Sequence, residues 1–406
     1  MILSLLFFIH SLAASFHAGA VMPDGKVDKL VEAPGNWHAP VYGVELFVDF
    51  APDWQALQEW NDATIGVSLG YWNLNHNKMG HAITPYIYMD IPLVRRPHFE
   101  LGLRPGIGTA FVTKTYRNTV LDGHMFVDVQ GANQSIGSVC NLYFPEVIYM
   151  RFPISRGWGI SLAGGWYHIS NGSTRQPNSG YNIFAAELGV KKDVNFTPQS
   201  LSKVSGNTSE NSNIFSSELE SGSRKWSVAL SGTISGRQVY YRDQQTFLVS
   251  SIHASMYWHA HSIFRLGGGL DVFYDGAYVR RETHFTKTNL SLAEPGDCWR
   301  VGVSVQPEFV VGKFTAGLHI GAYMYDPVKA LEPQWKKDGL PQERLDKPIF
   351  YAYDLLNAGS AGYPDGWLYS EVVLRYHLPW HIFVQAMMKS HLTKVEFVSL
   401  GIGLWY

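Results

Sequence analysis

The sequence is poor in charge and cysteine. Only 16% of its 406 residues are charged, with Lys+Arg 32 against Asp+Glu 34, whereas an ordinary soluble domain has about 25%. The net charge of -2 and the lack of any basic run exclude an electrostatic footprint for DNA or RNA, so we expect no nucleic-acid partner. Two cysteines, Cys140 and Cys298, are too few for a disulfide scaffold or a four-thiolate metal site.

Apolar and aromatic residues are abundant but do not form long runs. Hydrophobic residues make up 46% and aromatic residues 14% of the chain, yet the mean hydropathy is only -0.08. Apolar and polar residues must therefore alternate, as they do in β-strands. The aromatic content excludes a disordered chain. After residue 20 no apolar run is long enough for a transmembrane helix, so a membrane form of this chain is expected to be a β-barrel.

The amino terminus resembles an export signal. Residues 2–14 are an apolar run that is too short to span a bilayer, and Ala18, Gly19 and Ala20 supply a small-residue cleavage pattern. We therefore expect residues 1–20 to be a signal peptide and the mature chain to begin near Val21.

A period of two recurs along the chain. In residues 251–261 one parity is apolar and the other is polar and rich in Ser and His, and residues 226–237 and 381–391 separate in the same way. The candidate strands are about 11–15 residues long, which is longer than usual in soluble sheets. Very short turns alternate with long polar connections at 112–137, 278–297 and 327–365. This pattern, together with a last strand that ends on Tyr406, predicts an all-β antiparallel transmembrane β-barrel.

The number of barrels is open at this stage. We identify fifteen candidate strands between residues 41 and 405. Because bacterial barrels close with even numbers, either one strand is missed, for which residues 22–40 are the expected place, or one is in excess. The leading expectation is one barrel of about 14–16 strands, and the alternative is two eight-stranded barrels in tandem. The predicted segments are a site-carrying portion at 21–192, a Ser- and Asn-rich linker at 193–225, and the remaining strands at 226–406.

One segment carries candidate chemistry. In the strand over 158–170, His168 and Ser170 extend the outward, apolar face, and a hairpin centred near Arg175 would place Asn182 opposite His168. A His and a Ser two residues apart on one strand face let the imidazole take the hydroxyl proton as Ser170 attacks a carbonyl. The alternative is that both residues only mark the polar edge of the membrane interface.

The motif itself resembles a known family. The run His168-x-Ser170-Asn171, followed by Pro177-Asn178-x-Gly180, is similar to the signature of the outer-membrane lipid A 3-O-deacylases, also called acyloxyacyl hydrolases, and residues 133–138 are similar too. The resemblance implies a barrel that hydrolyses an ester-linked acyl chain of lipid A, with His168 as general base and Ser170 as nucleophile. It makes Asn171, Gly172 and Asn178 candidates for substrate or oxyanion binding.

The sequence departs from this family at one catalytic position. The resemblance implies a Glu that orients the base, and Asn182 stands there instead. An amide oxygen can hold an imidazole but cannot stabilise the developing imidazolium by charge. Glu187 is the nearest acid, but its parity points it to the opposite face.

The resemblance covers residues 40–192 and is much weaker over 226–406. In the second half, His253, His259 and His261 share the polar face, a spacing that can bind a metal. No carboxylate or Cys lies beside them in sequence, so we expect them to line a wet lumen, with no metal and no cofactor.

The leading hypothesis is an outer-membrane serine hydrolase that acts on lipid A or a related glycolipid through His168, Ser170 and Asn182. The rivals are an inactive barrel that serves as a pore or structural surface protein, and a soluble secreted β-sandwich. A pore would require the larger barrel, because eight strands enclose a lumen that side chains fill.

Overall fold

A computed structural model describes residues 9–22, 39–51, 55–119, 133, 135–178, 180–194, 225–238, 246–276, 295–326, 368–391 and 394–406. Sixteen strands lie in this part of the chain. They separate into two compact units, and each unit is described here by itself. The predicted linker falls almost wholly outside the described residues, as do most of the three long polar connections.

The first unit contains eight strands in simple antiparallel order: β1 Ile9–Val21, β2 Ala39–Phe50, β3 Thr64–Asn73, β4 His81–Arg96, β5 Phe99–Val112, β6 Cys140–Ser155, β7 Trp158–Ser170 and β8 Tyr181–Asp193. The barrel closes because β1 pairs with both β2 and β8, so that Leu12 lies opposite Val48 on one side and Lys192 on the other. Two single-turn helices, α1 Gln55–Gln58 and α2 Tyr116–Thr119, lie in its connections.

The second unit repeats this architecture: β9 Trp226–Arg237, β10 Phe247–His261, β11 Phe264–Asp275, β12 Trp299–Val311, β13 Phe314–Tyr325, β14 Leu368–His377, β15 Ile382–His391 and β16 Lys394–Trp405. Here β9 closes the barrel by pairing with β10 and β16. A 3₁₀ turn, Pro295–Cys298, precedes β12. Among the described residues, no helix has the length and apolar character needed to cross a membrane.

The fold is therefore two closed eight-stranded barrels, which confirms the all-β barrel class and the tandem alternative. The expectation of a single barrel of 14–16 strands is wrong. The physical reason is pairing: β8 returns to β1 and β16 returns to β9, so no strand edge remains to join the two sets into one sheet. The soluble sandwich is excluded because both sheets close on themselves.

The strand missing from the sequence count is β1, and it lies within the predicted signal peptide. Residues 9–20 alternate Ser11, Ser15 and His17 toward the lumen with Leu12 and Phe16 outward, and pair on both edges. Residues 9–20 of the predicted signal peptide therefore form part of this barrel, in which β1 connects β2 to β8. A short apolar run that also alternates in polarity satisfies the pattern of a signal peptide and that of a barrel strand.

The two faces of the strands are those predicted by parity. Leu46, Ile148 and Leu188 are among many large apolar side chains exposed on the outer surface of the first barrel, and Ile252 and Met256 are exposed on the second. Such an apolar outer face suits the hydrocarbon of a bilayer.

Side chains fill the lumen of each barrel. In the first, Arg104 pairs with Asp90 (Nε–Oδ1 2.7 Å) and lies 4.5 Å from the centre of the Phe47 ring. In the second, Arg265 and Arg375 both pair with Glu308, at 2.6 and 2.5 Å. An eight-stranded barrel is expected to be packed in this way.

Candidate active site

The β7–β8 hairpin brings two of the predicted site residues together on the outer face of the first barrel. His168 lies directly opposite Asn182 in the strand register, and His168 Nδ1 is 2.8 Å from Asn182 Oδ1. The pairing predicted from parity is thereby confirmed. Because β7 ends at Ser170, the arrangement lies at the rim of the barrel where the chain leaves the sheet.

Trp166 determines which atoms of this pair carry hydrogen, a role that its position on the apolar face of β7 does not reveal. The Trp166 indole Nε1 donates to the same Asn182 Oδ1 at 3.1 Å. An indole N–H can only donate, so the amide atom facing it must be the oxygen. His168 Nδ1 must then carry the proton that Asn182 accepts, which leaves His168 Nε2 unprotonated and able to act as a base.

Aromatic rings hold the His168 side chain in place. The Trp166 ring stacks on the imidazole with centroids 5.2 Å apart and planes at 29°. Phe144, which is opposite His168 on β6, stacks at 6.5 Å. A ring held by two aromatic neighbours and a hydrogen bond has little rotational freedom, so the direction of its free nitrogen is fixed by its neighbours.

Ser170 lies on the same strand, two residues beyond His168. Its side chain is 1% exposed, and its hydroxyl has no hydrogen-bond partner among the described residues. The proton path from Ser170 to His168 is therefore not joined by a hydrogen bond here. Catalytic hydrogen bonds often tighten only when substrate is bound, and a buried hydroxyl with no other partner is free to turn toward the base.

Gly180 packs directly behind these two residues. Its φ is +76°, and a Cβ at this position would lie 3.1 Å from His168 Cε1, 3.1 Å from Ser170 Cβ and 2.7 Å from the Ile169 carbonyl oxygen. Only glycine combines this left-handed conformation with such close approach. The motif Pro177-Asn178-x-Gly180 thus has a steric reason for glycine at its last position.

The two asparagines of the motif hold the loop. The Asn171 backbone N–H donates to Asn178 Oδ1 at 2.9 Å, and Asn171 Nδ2 donates to Ser138 Oγ at 2.7 Å. Asn178 also forms a β-bridge with Ile136. Asn178 therefore holds the loop, and the Asn171 N–H, one of the oxyanion candidates, is already engaged. Gly172, the remaining candidate, has φ +60°.

Residues 133–138, which also resemble the family's sequence, hold this loop through hydrogen bonds. Asn133 is fully buried, and its Nδ2 lies within hydrogen-bond distance of the Lys78 and Lys114 carbonyl oxygens and of the Tyr181 hydroxyl. The Gly180 N–H donates to the Ser135 carbonyl oxygen at 3.0 Å. The resemblance at residues 133–138 therefore reflects residues that position the loop, a role that spacing alone does not reveal.

Two acids near the site lie on opposite faces. Glu187 points into the lumen, as predicted, where it is within 3.4 Å of Arg104 Nη1. Glu146 on β6 lies outward, opposite Trp166. Its outward position is not among the residues predicted for the site, although it follows from the parity of Phe144, Glu146 and Ile148.

An open groove runs along the outer face beside the site. It has a volume of about 520 Å³, and Gly164 and Ala186 line it together with Ile148, Trp166 and Phe184, with Glu146 at its edge. Two small residues between large apolar ones leave a depression on the lipid-facing surface. Its shape and apolar lining suit an alkyl chain.

In the second barrel, the described residues that could hold a metal ion are His253, Asp271 and Glu371. Of the three histidines singled out in the sequence, only His253 belongs to this group. His259 instead contacts Ser227 Oγ through Nε2 at 2.8 Å. The sequence analysis could not foresee the carboxylates because they come from other strands.

The fold is that of an outer-membrane β-barrel, and His168, Ser170 and Asn182 lie at the rim of its first barrel. The family model for lipid A 3-O-deacylase (PagL) matches residues 42–191, and the model for the acyloxyacyl hydrolase C-terminal domain matches residues 224–350. The two matches cover most of both barrels, and the chain belongs to this family of lipid A deacylases.

Solved structures are similar only at low identity. The outer membrane enzyme PagL is 18% identical, with 45% of this chain and 99% of that chain covered and a TM-score of 0.27. Neisserial surface protein A is 11% identical, with 45% and 96% covered and a TM-score of 0.26. A mutant of the Rh. blastica porin is 10% identical, with 98% and 99% covered and a TM-score of 0.20. No curated protein sequence matches the chain.

Proposed function

We propose that the first barrel removes an ester-linked acyl chain from lipid A or a related glycolipid in the outer membrane. The observation that carries this proposal is the Trp166–Asn182–His168 chain of hydrogen bonds beside Ser170. It holds a neutral imidazole in its basic tautomer on the surface that lipid would contact. A water-soluble ester would have little access to such a surface, whereas a lipid reaches it laterally.

The reaction begins with Ser170 Oγ attacking the ester carbonyl carbon while His168 Nε2 accepts the hydroxyl proton. The tetrahedral intermediate collapses, the C–O bond to the sugar breaks, and His168 returns its proton to the departing alkoxide. Water then attacks the carbonyl carbon of the acyl-Ser170 ester while His168 accepts a proton from it, the bond between that carbon and Ser170 Oγ breaks, and His168 returns the proton to Ser170 Oγ as the fatty acid leaves. The oxyanion donor we propose is the Gly172 backbone N–H, because the Asn171 N–H is bound to Asn178.

The groove beside Trp166 supplies a place for the acyl chain. Its apolar walls lie next to the imidazole, so a chain seated there would bring its ester to the rim where Ser170 lies. Lateral entry requires no channel through the barrel.

The end of the barrel that carries the site supports a position in the outer leaflet. The connections at this end span 22–38, 74–80, 113–139 and 171–180, whereas the opposite end has the two-residue turns 97–98 and 156–157 and the connection 51–63. In outer-membrane barrels the longer loops are extracellular and the short turns periplasmic. Lipid A with its acyl esters occupies the leaflet that this arrangement would place beside Ser170.

The number of strands in each barrel does not support the pore hypothesis. It depended on a barrel of about 16 strands, whereas each barrel has eight and its lumen is filled by side chains. We therefore favour the hydrolase for the first barrel.

The test uses the full-length protein purified in detergent micelles and mixed with lipid A, with released fatty acid measured by gas chromatography. We expect Ser170→Ala to lower release by about 10³-fold or more. Ser161→Ala is the matched control, because Ser161 lies on the same strand but faces the lumen. Heat-shifted mobility in SDS gels reports folding of each variant. Release at the wild-type rate by folded Ser170→Ala, or no release by folded wild type, would refute the proposal.

A further inference from the structure

Two pairs of residues face each other across the lumen of the second barrel. His253 on β10 lies directly opposite Asp271 on β11, and His319 on β13 lies directly opposite Glu371 on β14. All four side chains are buried. His253 Nδ1 is 2.8 Å from Asp271 Oδ1 and 3.9 Å from Glu371 Oε2, and His319 Nδ1 is 3.5 Å from that same oxygen.

The carboxylate of Glu371 is buried and poorly satisfied. It is 0% exposed, and neither carboxylate oxygen has a hydrogen-bond partner among the described residues. Burying a carboxylate costs several kcal/mol unless its oxygens are well paired, and the two imidazoles at 3.5 and 3.9 Å from Oε2 form no hydrogen bond with it. A cation bound at its oxygens would remove that cost.

The neighbouring cations contact other acids. Lys389, opposite Glu371 in the strand register, bonds to Glu396. Arg375 and Arg265 both bond to Glu308. The two histidines approach the Glu371 carboxylate itself, each through its Nδ1.

Both imidazoles are oriented as metal ligands usually are. His253 Nε2 is 2.6 Å from Ser251 Oγ, and His319 Nε2 is 2.8 Å from Glu308 Oε1. Each ring is therefore held through Nε2, while Nδ1 points to the carboxylates, and His319 Nδ1 has no hydrogen-bond partner among the described residues. Asp271 is held in the same manner, through the Tyr369 hydroxyl at 2.6 Å. Metal-binding histidines typically donate their second N–H to such a partner.

We propose that this cluster binds a divalent transition metal, Zn²⁺ being the best match, inside the second barrel. The ligands are His253 Nδ1, Asp271 Oδ1, Glu371 Oε2 and His319 Nδ1. The first three lie within 4.8 Å of one another, and Zn²⁺ bonds of about 2.0–2.2 Å would place them about 3.4 Å apart. A mixed set of imidazole and carboxylate ligands suits Zn²⁺ better than the hard cations Ca²⁺ and Mg²⁺. The ion would tie β10 and β11 to β13 and β14 across the lumen.

The test titrates ZnCl₂ into full-length protein in detergent, after removal of metal with a chelator, and follows heat by calorimetry. Co²⁺ replaces Zn²⁺ in a parallel titration, because its visible absorption band reports ligand number and type. We expect one tight site at the cluster in the wild type. Glu371→Gln and His253→Gln should each weaken it by more than about 100-fold.

His259→Gln is the matched control, since His259 lies on the same strand but contacts Ser227 outside the cluster. It should bind as the wild type does. Far-UV circular dichroism and the heat shift in SDS gels establish that each variant is folded. The proposal is overturned if folded wild type binds Zn²⁺ no better than weakly, or if Glu371→Gln and His253→Gln both bind it unchanged.

Discussion

The indole N–H of Trp166 determines which nitrogen of His168, the candidate base, carries the proton. With Asn182 in place of an acid, the amide group could turn either its oxygen or its nitrogen toward His168, and only the oxygen gives the basic tautomer. Trp166 Nε1, at 3.1 Å from Asn182 Oδ1, selects the oxygen. Asn182 can therefore orient His168 as a carboxylate would, but it has no negative charge with which to stabilise the imidazolium.

Replacing Trp166 by Phe tests this role. The phenyl ring retains the stacking on His168 but removes the donor, so the Asn182 amide can turn over and the fraction of His168 in the basic tautomer falls. We expect about a tenfold lower rate of fatty acid release, equal to about 1.4 kcal/mol in the barrier. Trp158→Phe, on the same outward face of β7, is the control and should keep full activity. Equal rates for the two variants would argue against the orienting hydrogen bond.

The variant Asn182→Glu tests the effect of a negative charge beside His168. A carboxylate from Asn182→Glu can accept from both His168 and Trp166 and also stabilises the imidazolium that forms as Ser170 reacts. We therefore expect kcat for lipid A deacylation to rise by about tenfold or more. Asn182→Leu, which removes the acceptor while keeping similar bulk, should lower it. A rate that falls in Asn182→Glu would show that the neutral amide is required.

At this scale the sequence predicts some roles and not others. His168, Ser170 and Asn182 follow from parity and spacing, because a strand places alternate residues on one face. Trp166 and Asn133 do not, since a tryptophan on an apolar face has an obvious packing role and the partners of a buried asparagine come from distant segments.

The hairpin formed by β7, the loop at 171–180 and β8 is the element that carries the site. Its loop is held by side-chain hydrogen bonds from Asn171 and Asn178, and the left-handed Gly180 brings the returning chain against His168 and Ser170. Strand pairing sets which residues face each other, and the loop sets how closely the backbone approaches them. The geometry of the candidate site therefore depends on loop residues as well as on His168 and Ser170.

Gly180→Ala tests the loop's contribution. Its methyl group would have to occupy space 2.7 Å from the Ile169 carbonyl oxygen in a left-handed conformation, which costs about 1–2 kcal/mol from backbone strain alone. The chain must shift near His168, so we expect about a hundredfold loss of deacylation with the barrel still folded. Gly268→Ala is the control, because the nearest atom to a Cβ added there is 3.9 Å away, and it should leave the deacylation rate unchanged. Full activity in Gly180→Ala would contradict the close packing.

Most strands were predictable because each alternates clearly between an apolar and a polar face. The exception, β1, also fits the length and flank pattern of a signal peptide, and local sequence does not separate the two interpretations. Its lumen-facing His17, which lies 2.9 Å from Glu45, is explained only by the closed barrel.

The whole molecule consists of two barrels with different assignments. The first carries the hairpin with the candidate catalytic residues, and the second carries a buried cluster of histidines and carboxylates. Alternation predicts strands equally well for one barrel or two, because closure depends on which strand edges meet. Closure is set by the pairing of β1 with β8 and of β9 with β16, and the strands of each pair are far apart in sequence.

Deleting residues 2–20 tests the first closure. Without most of β1, β2 and β8 are left with unpaired edges, which a bilayer does not tolerate. We expect the truncated protein to lose deacylation and the heat-shifted gel mobility of the full chain. A chain lacking only residues 2–8 keeps β1 and serves as control. An active, folded protein without residues 2–20 would show that β1 is dispensable and would favour the signal-peptide prediction.

The central claim is that Ser170, on the lipid-facing surface of the first barrel, cleaves an acyl ester of lipid A. Mass spectrometry of lipid A from cells that make either the wild-type chain or Ser170→Ala at equal folded levels tests it most directly. The account predicts the loss of one ester-linked acyl chain with the wild type and intact lipid A with Ser170→Ala. Identical lipid A from the two strains would contradict it.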